Sequence, residues 1–186
     1  MSAGDDAHAW VLEAVDLYEV PLARYARRLL GDVDLAADAV QHAFVKLCAE
    51  RRERLEGRVA AWLFRVCRNR ALDHLRRSGR ERLLLDDAPD GPTVPAAPDG
   101  REPDPAVAVE RADLARRLST LLADLPAPQR ETIDLWCEGL TYRQIAEVTG
   151  RQEGHVRVLA HRGLSALRRH PLVRELLSED APLHVP

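Results

Sequence analysis

A chain of 186 residues, 46% of them hydrophobic, has enough apolar material for one ordinary core or two small ones, and with only eight aromatic residues it favours helical bundles over a β-sandwich. Its formal net charge of −3 at pH 7 argues against a protein that grips phosphate unaided. No run approaches the roughly 20 apolar residues that span a bilayer, and MSAGDDAHAW lacks the basic-then-apolar order of a signal peptide, so a cytoplasmic protein without membrane insertion is expected.

The charge is partitioned. Residues 1–50 carry −5, 51–82 carry +7, 83–110 carry −6, 111–172 carry +3 and 173–186 carry −2. Two basic blocks between acidic ones suggest nucleic-acid contact at two places and a different partner for the acidic parts.

From the amino terminus, Val11, Leu12, Val15, Tyr18, Leu22, Tyr25, Ala26 and Leu29 recur at helical spacing, and Gly31 ends the run. Leu35, Ala39, Val40, Ala43, Phe44 and Leu47 then share a face, with Asp34 as the expected cap. A third helix groups Val59, Trp62, Leu63, Val66 and Cys67 and continues through Ala71, Leu72 and Leu75, with arginines opposite. From Asp86 to Pro105, proline, glycine, alanine and aspartate erase the hydrophobic period, which predicts a flexible acidic linker. Helical spacing returns at Val107, Leu114, Leu118, Leu121 and Leu122; Pro126 and Pro128 then start a helix that Gly139 stops. The expected fold is therefore all-α: two small helical domains, 8–82 and 107–171, joined by a linker at 83–106 and followed by a tail, 172–186. Cys48, Cys67 and Cys137 are too dispersed for a disulfide framework and are expected to be buried free thiols.

The segment TYRQIAEVTGRQEGHVRVLAHRGL, 141–164, reads as a helix-turn-helix. Thr141 and Gln144 form a capping box, Ala146 suits a close helix crossing, Gly150 suits a left-handed turn, and Ile145, Val156 and Leu159 bury the second helix on the first. Such a second helix enters the major groove, which presents His155 and Arg157 early and His161 and Arg162 toward the backbone. In the basic block 58–82, arginines accompany Trp62, Phe64, Asn69 and His74. Stacking surfaces, phosphate neutralisation and an amide for a base edge are what single-stranded DNA requires. The seven histidines are scattered, and no metal-ligand spacing, phosphate loop or nucleophile elbow occurs, so no catalytic, metal or cofactor role is expected.

Three stretches, YARRLLGDVDLAADAVQHAFVKL, AWLFRVCRNRALDHLRR and LPAPQRETIDLWCEGLTYRQIAEVTGRQEGHVRVLAHRGLSALRR, together resemble a bacterial extracytoplasmic-function (ECF) RNA polymerase sigma factor over most of residues 10–170. The resemblance implies a promoter-recognition subunit that binds core polymerase through the largest subunit's clamp helices and through the flap, with promoter DNA and an anti-sigma factor as further partners. Asp38, Gln41, His42, Phe44 and Leu47 match the polymerase-docking motif, although His42 stands where an acidic residue is common. Trp62, Arg65, Arg68, Asn69, Asp73, Arg76 and Arg77 match the segment that melts and captures the −10 element, with Asn69 at the start of a base-holding loop. Arg143, Gln152, Gly154, His155, Arg157, Val158, His161 and Arg162 match the part that reads the −35 duplex. Departures occur at Gln152, where a serine cap is common, at His155 in place of threonine, and at Val158 and Leu159 in place of serine and arginine. The linker acids resemble those that thread the RNA channel. A free-standing helix-turn-helix regulator acting as a dimer is the rival reading, and it leaves the basic block at 58–82 without a role.

Overall fold

The computed structural model describes residues 3–79, 120–171 and 173–174, and every described regular element is an α-helix. The expected linker, the helix start at Val107 and most of the tail lie outside the described residues.

In the amino-terminal half, α1 (Ala3–Leu30), α2 (Val33–Cys48) and α4 (Val59–Arg77) pack on one another, with the single-turn α3 (Arg52–Leu55) between the last two. The stripe that α1 buries is Trp10, Ala14, Leu22, Tyr25, Ala26 and Leu30. Leu12, expected on that face, is exposed, because it lies off the arc that meets α2 and α4. The helix runs through Pro21 and ends at Gly31, whose φ of 68° supplies the left-handed turn. The cap of α2 is Asp32 rather than the expected Asp34: its carboxylate accepts from the backbone N–H groups of Asp34 and Leu35 at 2.9 and 3.0 Å. Asp34 falls inside the helix, where its charge suits the positive amino-terminal end. At the centre, Phe64 is fully buried, its ring centroid 5.6 Å from that of Tyr25.

In the carboxy-terminal half, α5 (Ala127–Cys137), α6 (Tyr142–Thr149) and α7 (Glu153–Arg169) follow. Both expected signals for α5 hold: Pro126 caps it with Pro128 in its first turn, and Gly139, at φ 87°, closes the exit. The helix-turn-helix is formed as read. Thr141 Oγ1 accepts from Gln144 N–H, Gln144 Oε1 accepts from Thr141 N–H at 2.9 Å, and Gly150 adopts φ 70°. Ile145 and Val156 are fully buried and Leu159 nearly so. Thr141→Ala should cost about 1 kcal/mol, a fall in melting midpoint of about 2–4 °C, with the helix content of the native state unchanged by circular dichroism.

The halves do not stand apart. α4 packs on α6 and α1 touches α5, and a single hydrophobic cluster runs from Trp10, Leu63 and Phe64 through Leu135, Leu140, Ile145 and Val148 to Val156. All three cysteines are free thiols, as expected, but only Cys67 is buried, and burial pushes its thiol up to about 12. Cys48 and Cys137 are exposed, each being the last residue of its helix.

Candidate nucleic-acid and polymerase interfaces

The outer face of α7 carries the residues read as duplex contacts. Gly154, His155, Arg157, Val158, His161 and Arg162 are all exposed, while Val156, Leu159, Ala160 and Gly163 are buried on the opposite face. The 3.6-residue period makes this division unavoidable once α7 is anchored on α5 and α6. Gly163 leaves room for Ile133, whose Cδ1 would lie 2.5 Å from an added Cβ and would have to move. Arg157 is held without being consumed: Glu153, one turn earlier, accepts from Nη2 at 2.6 Å, and the guanidinium carbon lies 5.5 Å from the Tyr142 ring centroid. Val158 places an exposed branched side chain on the same face, the type of group that packs on a thymine methyl. Gln152 forms no side-chain cap, consistent with its weakness in that role. Arg143, in the first turn of α6, is exposed.

On α4, Trp62, Arg65, Asn69, Asp73 and Arg76 recur at i, i+3 and i+4 and so form one stripe. Arg65, Asn69 and Arg76 are exposed, as is Arg77 beside the stripe, whereas Trp62 is half-buried against the core and Asp73 pairs loosely with Arg76 at 3.4 Å. Two expectations need correction. Asn69 does not begin a loop, because α4 is continuous from Val59 to Arg77; no helix breaker interrupts Arg68–Ala71, and Cys67, Ala71 and Leu72 keep their core register. Arg68 points away from the stripe, toward the carboxy-terminal half, where Glu131 holds it.

The polymerase-docking expectation divides similarly. Gln41 is exposed and His42 and Phe44 are half-buried, but Leu47 is fully buried and serves the core, since it shares the inner arc with Ala36, Val40 and Ala43. Asp38 accepts from Arg70 Nε and is 2.8 Å from His74 Nε2, contacts that hold its carboxyl down at about 2. It therefore ties α2 to α4 as an ionised group. The exposed side of α2 is instead Asp34, Ala37, Gln41, Val45 and Cys48, with Val45 67% exposed. Val45 was missed in the sequence; its position off the 36/40/43/47 core arc was the available signal.

The most buried polar cluster lies between the halves. Glu131 on α5 accepts from Arg68 Nε and Nη2 at 2.7 and 3.3 Å, from Arg151 Nη1 at 3.2 Å and from the Tyr25 hydroxyl at 3.1 Å. Burial favours its neutral form, yet Arg68 and then Arg151 outweigh burial and lower its pKa. Tyr25, buried beside that carboxylate, is raised well above its ordinary value, first by burial. Further along α5, Glu138 pairs with Arg24 at 3.0 Å and with Arg28, and on α6 Glu147 pairs with Arg58. Asp134 is 2.9 Å from Arg28 Nε, but that nitrogen makes no aligned hydrogen bond. Consistent with a poorly satisfied partner, burial raises Asp134 to about 6 despite the attraction of Arg28. Sequence reasoning overlooked this network. Its trace was the spacing of Glu131, Asp134 and Glu138, which sets three acids on one face of a helix in a basic unit.

The segregation also answers the charge problem. Glu131, Asp134, Glu138 and Glu147 all face the amino-terminal half, so the modest +3 of residues 111–172 understates how basic the outer face of α7 is. No helix among the described residues is long and apolar enough to cross a membrane, and no group of three metal-binding side chains occurs among them.

Residues 14–81 match the Sigma-70 region 2 family and residues 115–167 match Sigma-70, region 4. The chain is similar to the ECF RNA polymerase sigma factor SigE of Mycolicibacterium smegmatis, at 33% identity over 78% of this chain and 55% of that protein, so it spans about half of that relative's length. It is similar to SigL of Mycobacterium tuberculosis at 32% identity, over 90% of this chain and 93% of SigL, and to SigW of Bacillus subtilis at 26%, over 84% and 86%. With a helical bundle matching region 2 and a helix-turn-helix matching region 4 in one chain, this protein belongs to the extracytoplasmic-function family of RNA polymerase sigma factors.

Proposed function

We infer that this sigma factor directs core RNA polymerase to two-part promoters, its carboxy-terminal helix-turn-helix reading the −35 duplex and its amino-terminal bundle capturing the melted −10 strand. The observation that carries this is the coexistence of two outward DNA-reading surfaces of different chemistry: the α7 face, suited to a groove, and the α4 stripe, whose Trp62, Arg65, Asn69 and Arg76 suit unpaired bases. A dimeric regulator would use only the first. The working division is 8–82 for polymerase and −10 contacts, 83–106 for the linker, 107–171 for the −35 element and 172–186 for the tail.

Within it, Asp38 positions α2 against α4, and Gln41, His42 and Phe44, joined by Val45, meet the clamp helices. Arg65, Asn69, Asp73, Arg76 and Arg77 line the path of the melted strand, with Arg68 added once it leaves Glu131. Arg143, Gln152, Gly154, His155, Arg157, Val158, His161 and Arg162 face the −35 duplex. The flap contact falls to the carboxy-terminal domain, and an anti-sigma factor covers the exposed faces when polymerase is absent. Linking two modest DNA contacts through one polymerase raises their joint affinity without either binding tightly alone, which suits an acidic chain.

Run-off transcription from a pool of random promoters, with and without bacterial core polymerase, tests this. Initiation at a two-part consensus only with core is the expected result; selection of a palindromic duplex by the protein alone would overturn it. In the same assay Arg157→Ala should lower initiation at the selected promoter about tenfold, near 1.4 kcal/mol, and relax preference at one −35 base pair.

A further inference from the structure

We propose that Glu153 and Tyr142 are positioning residues that offer Arg157 to the −35 duplex by one edge only, which makes guanine the base it reads. This deepens the promoter reading above and rests on it. Both residues act through Arg157.

Three observations carry it. First, Glu153 occupies one edge of the guanidinium: its Oε1 accepts from Arg157 Nε at 3.2 Å and from Nη2 at 2.6 Å. A guanidinium has five N–H donors, so both hydrogens of Nη1 and the second of Nη2 stay available, and the pair pointing away from Nε forms a parallel fork. In the major groove only guanine sets two acceptors, O6 and N7, beside each other. Adenine offers N7 next to an amino donor, which the fork would meet hydrogen to hydrogen. Secondly, both supports are anchored. Glu153 is the first residue of α7, where a carboxylate suits the positive end of the helix, and Arg157 follows one turn later, the favourable order for such a pair. Tyr142 is the first residue of α6, packed half-buried against the core beside the Thr141–Gln144 capping box, and its ring centroid lies 5.5 Å from the guanidinium carbon. The two supports come from different helices of the helix-turn-helix, so the turn at Gly150 sets their relation. Thirdly, the pair is open to a ligand, with the Arg157 side chain 62% exposed and that of Glu153 41%. In water an exposed pair of this kind contributes little to stability. Beside DNA its carboxylate offsets the charge that would draw the guanidinium to the nearest phosphate, a contact without sequence information.

Initiation by the full chain with core polymerase, on promoters bearing each of the four bases at every −35 position, tests this. The unaltered protein should prefer guanine about tenfold at one position, and Arg157→Ala should abolish that preference there alone. Glu153→Ala and Tyr142→Leu should each reduce it to about threefold or less, leaving the other positions unchanged. Glu153→Gln, whose amide oxygen still accepts from the same edge, should keep more of it than Glu153→Ala. Added to Arg157→Ala, Glu153→Ala should have no further effect. On a duplex without a promoter, free Glu153→Ala should bind more tightly than the unaltered chain, with a salt slope steeper by about one, since its arginine is released to phosphate. A damaged α7 would bind more weakly, and melting by circular dichroism verifies that the variants are folded. A base other than guanine at the position Arg157 reads, or a guanine preference kept in folded Glu153→Ala and Tyr142→Leu, would overturn the proposal. Initiation at a two-part promoter with that preference unmoved removes the positioning role and leaves the promoter reading in place. Selection of a palindromic duplex without polymerase removes the promoter reading, and a guanine preference on that duplex that falls in Glu153→Ala keeps the positioning role.

Discussion

Val45→Asp should weaken binding to core RNA polymerase by about ten- to a hundredfold, about 1.4–2.7 kcal/mol, while leaving the fold and free DNA contacts unchanged. Val45 is 67% exposed in the middle of the Ala37, Gln41 and Cys48 face, so an aspartate there meets water in the free protein. In a docked complex the same charge would be desolvated without a partner, which is costly. Competition binding against the unaltered chain measures the loss, and melting by circular dichroism verifies that α2 is intact. Leu47→Ala is the instructive contrast. Leu47 is fully buried, so its truncation should lower the melting midpoint first and affect polymerase only through the fold. Equal polymerase affinity for Val45→Asp and the unaltered protein would move the docking surface off this face of α2.

The second large effect is on pH dependence, and it originates at Asp134. Folding raises its pKa from 3.8 to about 6, chiefly through burial, with Arg28 and Arg130 opposing and Glu131 and Glu138 adding to the rise. The native state therefore binds more protons than the unfolded state between those values, and stability must fall as pH rises through them. The full span corresponds to roughly 2–3 kcal/mol, of which about 2 kcal/mol lies between pH 4.5 and 8. The melting midpoint should accordingly drop by about 4–8 °C over that interval. Asp134→Asn should remove that part of the slope, and the difference between the two curves isolates this residue's contribution. Below about pH 4 the trend reverses, because Asp38 and Glu131 have lowered pKa values and lose their arginine partnerships as they protonate. Parallel curves for the two proteins would show that Asp134 is better solvated than its burial implies.

Much of this protein is legible without coordinates. The helix-turn-helix was read down to its capping box, its left-handed Gly150 and the inward Ile145, Val156 and Leu159, because each rests on interactions within a few residues of sequence. The stop at Gly31 and the proline start of α5 are of the same kind. The sequence is ambiguous where a choice depends on a neighbouring helix. Asp34 is the expected cap, but the chain turns two residues earlier, where Asp32 is extended and its carboxylate accepts from N–H groups of the first helical turn. Leu12 and Leu22 share the same periodic run, yet only Leu22 meets another helix. Phe44 and Leu47 both belonged to the expected polymerase contact, but the packing of α2 on α1 and α4 takes Leu47 wholly inward.

The sequence by itself therefore determined the helical class and the helix-turn-helix, since periodicity, capping and turn chemistry are local and are written in residue spacing, and its resemblance to known sigma factors pointed to the family. Only the tertiary structure decided which charges are spent on the protein itself. Arg65 and Arg68 are indistinguishable in the string, both arginines on one basic helix, yet one faces solvent and the other is locked on Glu131, 63 residues away. The spacing of Glu131, Asp134 and Glu138 marks an acidic face, but nothing periodic names its partners over such a separation. The pairing follows from which faces remain apolar once each helix is formed, and from the need to neutralise every carboxylate that this packing buries.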